Sequence, residues 1–384
     1  MTIGKRMRIL FSVYPFAGHL FPLVSTAWAL RAAGHDVLLA GFQGPFDVIA
    51  KTGLPFVEVV EFAEMESIHR KFFGSPQERA EEGGTEADAD PNPITGLLSA
   101  WSSAMVDGTV SVARRWKPDL VIHDVVQAAG PLAAAVVGVP SVEHRCGFLP
   151  DAAGLVPIMR ARLASDYERH GVAGKSASVT AIDLAPPSMT GDVSADAWPV
   201  RYVPYGSGGP VPDWAIGASD RPRVAVTLGT TTPDVLGVGH FKSIVEAAAA
   251  TDAEFVLALG SADPAPLGTL PDNVRLCGWI PLHVLLDTCS AIIHQGGIGT
   301  TLSALHTGIP QLVLPTGHDY FVNANALEKR GVGLSAEPDQ VDAELLGRLL
   351  GDRALSTAAV EVRDEMTGTE APGDAVARLV ELAG

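Results

Sequence analysis

The densest chemistry in this chain lies in His294-Gln295-Gly296-Gly297-Ile298-Gly299-Thr300-Thr301. The apolar run Ala291-Ile292-Ile293 precedes it and Leu302-Ser303-Ala304-Leu305 follows, so a short buried strand ends at a histidine and a glycine-rich turn opens a helix. The first turn of a helix presents unpaired backbone N–H groups and the positive end of its dipole, which suits an anion such as a pyrophosphate. Gly296, Gly297 and Gly299 let the backbone approach a ligand closely, and His294 and Thr300 add side-chain donors. A second histidine, His19 in Phe16-Ala17-Gly18-His19-Leu20, follows the first predicted strand. Asp124 ends another, Leu120-Val121-Ile122-His123-Asp124. A carboxylate beside a histidine steadies the imidazolium formed when the ring takes a proton, which is the chemistry of a general base. Simpler readings stand beside these: a packed or capping histidine at His19, and a helix N-cap at Asp124.

Three further positions stand at strand ends or near the glycine turn. Thr230, in the run Thr230-Thr231-Thr232, offers hydroxyl donors to a phosphate or a plain polar cap. Trp279, in Gly278-Trp279-Ile280-Pro281, presents an aromatic plane that suits a nucleobase, although most tryptophans are core. Asp319, in Gly317-His318-Asp319-Tyr320, is placed to accept hydrogen bonds from hydroxyls, or to cap the helix that follows.

The elements that must carry these residues follow a parallel β-α-β rhythm. Met7 to Val13 reads as a strand buried on both faces, Leu20 to Ala33 as an apolar-faced helix closed by Gly34, and Asp36 to Ala40 as the next strand. A strand Asp119–Asp124, helix Ala128–Val137 and strand Val139–His144 form a later unit. The second half repeats the rhythm from Arg223 to Leu314, with helices at Phe241–Ala250, Pro281–Thr288 and Gly299–His306. Gly-x-Pro returns at Gly53, Gly138 and Gly308 end helices before strands. The segment from Tyr202 to Pro212 holds three prolines and three glycines and reads as an interdomain linker. Gly74 to Pro93, acidic and poor in apolar residues, reads as a mobile surface loop. The expected fold class is α/β: two doubly wound domains facing a cleft, with ligands beyond the carboxyl ends of the strands.

Composition narrows the partners. At 384 residues the chain has material for about two domains. Its net charge of −17, without long basic runs, argues against nucleic acid and anionic membranes. Cys146, Cys277 and Cys289 form no metal or disulfide framework, and no apolar run is long enough to span a membrane, so the expectation is a cytoplasmic protein. No P-loop or zinc signature occurs, and Pro15 and Phe16 stand where a dinucleotide site needs glycines.

The combination of Arg8-Ile9-Leu10-Phe11, Gly18-His19-Leu20-Phe21-Pro22-Leu23, Arg201-Tyr202-Val203-Pro204-Tyr205, Gly278-Trp279-Ile280-Pro281-Leu282 and the His294–Thr301 turn resembles the actinobacterial natural-product glycosyltransferases. That resemblance implies a GT-B fold. It implies inverting, metal-independent transfer of a deoxysugar from a dTDP-type nucleotide sugar to a hydrophobic aglycone, without a cofactor. Carried onto this chain, the general base falls on His19 and its partner on Asp124. Diphosphate contacts fall on Thr230, His294, Gly296, Gly297, Gly299 and Thr300, and Trp279 with Ile280 flanks the base. The family's loop after the next strand often carries Asp-Gln, where donor sugar hydroxyls bind. Here the pair is Asp319-Tyr320, and tyrosine lacks the amide's paired donor and acceptor, which points to a deoxygenated or amino sugar. Phe72, Phe73, Trp101, Met105, His144 and Phe148 are candidates for an apolar acceptor pocket, each equally compatible with the core.

The domains expected are 1–200 for the acceptor, 201–216 as linker and 217–368 for the donor, with a C-terminal helix in 369–384 returning to the first domain. A homodimer is compatible with this reading. Two alternatives keep the fold: a nucleotide-sugar 2-epimerase, and a non-catalytic activator of a partner enzyme.

Overall fold

The computed structural model describes residues 6–44, 48–75, 78, 82, 93–148, 152–175, 178–190, 197–206, 208–217, 219–229 and 238–384. Near-continuous apolar runs become central strands covered on both faces. In the first domain β1 (Arg8–Ser12) leads into α1 (Ala17–Ala32), then β2 (Asp36–Gly41) and β3 (Phe56–Glu58). After α2 (Phe62–Phe73) and α3 (Pro93–Trp116) come β4 (Leu120–Asp124), α4 (Ala129–Val137) and β5 (Ser141–Arg145). The domain ends with α5 (Ala152–Arg162), α6 (Ala164–Arg169), β6 (Ser178–Asp183), α7 (Pro187–Thr190) and β7 (Ala197–Pro199). Its strands pair in parallel in the order β3-β2-β1-β4-β5-β6-β7.

The second domain opens with β8 (Arg223–Thr227), α8 (Lys242–Ala248), β9 (Glu254–Ala258) and β10 (Val274–Cys277). Next come α9 (Leu282–Leu286), β11 (Ala291–His294), α10 (Ile298–Thr307) and β12 (Gln311–Val313). The chain closes with α11 (His318–Arg330), β13 (Gly333–Ser335), α12 (Ala343–Gly351), α13 (Arg353–Gly368) and α14 (Pro372–Leu382). This sheet is also parallel, in the order β10-β9-β8-β11-β12-β13. The strand order reverses between β1 and β4 in one sheet and between β8 and β11 in the other. Ligands enter open α/β sheets at such switch points.

Two of the differences from the sequence expectation bear on the site and its first domain. The helix after β1 starts at Ala17, three residues earlier than read, because Phe16 is extended and Pro22 is accommodated inside the helix at the loss of one bond to the Gly18 carbonyl. His19 therefore stands in the first turn of α1 and not in a loop. The 24-residue helix α3 was not read at all, since Gly96, Gly108 and four serines weaken its local signal. Gly108 is required there, because a Cβ would collide with the Val59 carbonyl. The segment 74–93 read as a mobile loop lies largely outside the described residues. The three expected helix-ending glycines have φ of 67°, 74° and 80° at Gly53, Gly138 and Gly308.

Residues 201–206 and 208–212 are without helix or strand, as their composition requires, yet they are anchored. Tyr202 is buried and its hydroxyl donates to the Gly299 carbonyl at 3.3 Å. Beside it the Arg201 N–H donates to the Glu370 carbonyl, so two chain crossings between the domains run together. After the second crossing, Ala375, Val376 and Leu379 of α14 join the cluster formed by Leu20, Leu23 and Ala27 of α1. No helix among the described residues is long and apolar enough to cross a membrane.

Candidate active site

His19 and Asp124 are 105 residues apart in sequence, and the adjacency of β1 and β4 brings them together. His19 Nδ1 lies 3.1 Å from Asp124 Oδ2. The carboxylate is 1% exposed, while the histidine side chain is 38% exposed, so one partner is fixed and the other reaches the cleft. A carboxylate accepts, so Nδ1 carries the proton and Nε2 is left as the basic nitrogen. The helix N-cap weighed for Asp124 is not what forms: the next helix starts at Ala129 with Ala128 at its N-cap, and Asp124 Oδ1 instead accepts the Val126 N–H at 2.8 Å in the turn after β4. Burial opposes an imidazolium at His19. The charge and hydrogen bond of Asp124, with the charge of Asp319, outweigh it and raise the ring's titration above its ordinary value.

Across the cleft, α10 begins without a side-chain cap at Gly297. The first bond of the helix is from the Thr301 N–H to the Gly297 carbonyl, so the amides of Ile298, Gly299 and Thr300 point out of the helix end. Nothing stands within 4 Å of where a Gly299 Cβ would be, and Thr300 is half-buried at the same end. The turn before it leaves no room for side chains. Gly296 has φ of 98°, and a Cβ there would lie 2.9 Å from Val313 Cγ1 and 3.0 Å from Tyr320 Cβ. A Cβ on Gly297 would stand 2.7 Å from Gln295 Nε2.

The expected donor role of His294 is corrected by the structure. The ring is fully buried, Nε2 donates to Gln311 Oε1 at 2.9 Å, and Nδ1 accepts the Gly296 N–H at 3.1 Å. Both nitrogens are committed, and burial drives the ring's pKa down to about 4, against a smaller upward effect of the Gln311 bond. His294 shapes the turn and holds no free donor for a phosphate. The Ile280 side chain is also corrected: it is buried in the cluster with Leu285 and Leu286. Trp279 itself is 44% exposed. Thr230 lies outside the described residues. Asp319, exposed, and Tyr320 open α11, where Tyr320 backs onto Gly296. Asp319 thereby comes close enough to His19 for its charge to be felt. The sequence reading missed Asn323, one turn on from Asp319, whose buried amide donates to the Gly296 carbonyl at 2.7 Å.

The six acceptor candidates divide between the two faces of the first sheet. Trp101 and Met105 on α3, with Phe72 on α2, pack on the face shared with Tyr14 and Phe42, and Met105 is fully buried there, which corrects its assignment to the acceptor pocket. Trp101 stacks on Phe16 at 5.4 Å, and Phe16 and Tyr14 present edges to His19 at 6.4 and 6.0 Å. An aromatic wall therefore runs from the base outward, and Phe73 near its rim is 47% exposed. His144 and Phe148 belong to the other face, which corrects their assignment. His144 Nε2 meets Thr26 Oγ1 of α1 at 3.0 Å in full burial, and Phe148 joins the α1 core. Among the described residues, no three His, Cys, Asp or Glu side chains converge as metal ligands.

Both domains have known relatives. Residues 28–229 and 242–382 match the N-terminal and C-terminal domains of the family described as erythromycin biosynthesis protein CIII-like. The elloramycin glycosyltransferase ElmGT of Streptomyces olivaceus is 39% identical, with 97% of each chain covered. Among solved structures, the glycosyltransferase SnogD from Streptomyces nogalater superposes with a TM-score of 0.84 at 39% identity, covering 99% of this chain and 100% of that one. The glycosyltransferase VinC in complex with dTDP gives 0.81 at 31% identity, covering 98% and 99%.

Proposed function

The chain belongs to the erythromycin biosynthesis protein CIII-like family and is a glycosyltransferase, and from that premise we propose an inverting, metal-independent transfer of a deoxysugar from a dTDP-type donor to a hydrophobic natural-product aglycone. The dTDP complex of VinC supports the donor class, and the name of the elloramycin enzyme supports a natural-product acceptor.

The observation that carries the mechanism is the His19–Asp124 pair, 3.1 Å apart, in a cleft whose other wall is the uncapped start of α10. His19 Nε2 takes the proton of the acceptor hydroxyl. The oxygen attacks the anomeric carbon from the face opposite the diphosphate, the bond to the diphosphate oxygen breaks, and its electron pair stays on the leaving group. Asp124 steadies the imidazolium. The amides of Ile298, Gly299 and Thr300, with the Thr300 hydroxyl, stabilise the leaving charge in place of a metal ion. Trp279 stacks the base, and Asp319 accepts from sugar hydroxyls. The aromatic wall of Phe16 and Trp101 receives the aglycone beside the base.

A positioned base contributes ~10²–10⁴-fold. His19→Ala therefore loses turnover by that order while binding dTDP as the parent does. With a dTDP-deoxysugar and an aromatic polyketide aglycone, the product is expected with inverted anomeric configuration by NMR, and at an unchanged rate in EDTA. Retention of configuration, or full turnover in His19→Ala, rejects the mechanism.

A further inference from the structure

Lys51 belongs to the first domain, in the short turn Ala50–Thr52 that follows β2. Its backbone is pinned on two sides. The Trp28 indole donates to the Thr52 carbonyl at 2.9 Å, and the Tyr205 hydroxyl of the linker donates to the Lys51 carbonyl. From that anchor the side chain crosses to the second domain, and its ammonium stands 5.5 Å from the centroid of the Trp279 ring. Trp279 is braced from the linker by the Gly208 carbonyl, which accepts from its Nε1 at 3.4 Å, and by Gly209 against its edge. The tryptophan is 44% exposed, so its ring is not sealed into the core.

Stacked aromatic rings have centroids ~4.5–7 Å apart, so the ammonium stands within the shell that a stacked base would fill on that side of Trp279. We propose that Lys51 is an affinity-setting residue for the donor: its ammonium shields Trp279 and must withdraw before a nucleobase stacks there. The proposal rests on reading Trp279 as the base platform. Because the two residues come from different domains, donor binding also releases a tie between them. The sign of the effect is diagnostic. A cation that binds the donor would strengthen the complex with an anionic nucleotide, whereas a cation that competes for the ring weakens it.

The test is calorimetric titration of the full chain with dTDP. Lys51→Met keeps the stem and removes the charge at an exposed site. The expected result is a Kd lower by about two- to fivefold, the equilibrium factor of an exposed cation–π contact. Trp279→Leu is expected to bind dTDP more weakly, and adding Lys51→Met to it should change nothing further. Weaker or unchanged binding in Lys51→Met, with Trp279→Leu still impaired, overturns the role of Lys51 alone. Parent-like binding in Trp279→Leu overturns the base platform and the proposal with it.

Discussion

Asp124→Asn tests the proposed mechanism at its most exposed joint. The substitution is isosteric, and an amide oxygen can still accept the Val126 N–H that Asp124 Oδ1 now accepts at 2.8 Å, so the local turn should survive. What is lost is the charge 3.1 Å from His19 Nδ1. A hydrogen bond to a charged group contributes about 1.5–3 kcal/mol, which corresponds to a loss of roughly 10- to 150-fold in kcat/KM when that charge matters most in the transition state. A second readout follows from titration. His19 is the base in its neutral form, so the rate rises as pH climbs through the ring's pKa. In the parent that pKa is held above its ordinary value of 6.5, chiefly by Asp124 working against burial. Without the carboxylate, burial remains and the acid limb should move to lower pH. Steady-state kinetics from about pH 5 to 9 on both proteins, with dTDP affinity measured in parallel, give both quantities. A loss under threefold, an acid limb that stays in place, or a defect confined to dTDP binding would refute the pairing.

Other perturbations separate the remaining roles. Thr300→Ala should weaken dTDP binding several-fold and leave thermal stability intact, measured by calorimetry and melting; unchanged affinity would remove Thr300 from the diphosphate site. His294→Ala should unfold earlier in denaturant by about 2–4 kcal/mol, because it strands the Gly296 amide and Gln311 in a buried site. Parent stability with lost dTDP affinity would instead make His294 a direct ligand. Burial lowers the pKa of His144 and His294 to about 4 from 6.5. Below 6.5 the unfolded chain binds protons that the folded one refuses, so stability should fall as pH drops from 6.5 towards 4 and then level for these groups. Melting curves of His144→Asn should show a shallower acid decline, and an identical slope would show that His144 does not contribute.

The local physics of the chain was legible because it is periodic. Apolar runs, helical stripes and Gly-x-Pro returns mark the β-α-β units wherever one element obeys one rule, which is why β11 was read with its observed limits, Ala291–His294. Helix α3 escaped because its glycines and serines answer to tertiary neighbours such as the Val59 carbonyl, a constraint with no local signature. Tyr202 shows the same limit, since linker composition does not disclose that one of its aromatics is locked onto Gly299.

By itself the sequence determined the alternation of elements, the strand ends that carry His19, Asp124 and the glycine turn, and the need for a backbone anion cradle before α10. Those depend on steric preferences and dipoles within a few residues. Only the tertiary structure decided which groups are free to act. Parallel pairing of β1 with β4 makes a dyad of His19 and Asp124. The contact between β11 and β12 turns Gln311 onto His294 and removes it from the ligand, and the two faces of one sheet separate Trp101 from His144. A side chain's chemistry is set by its neighbours and its access to solvent. In a parallel sheet those neighbours come from distant strands.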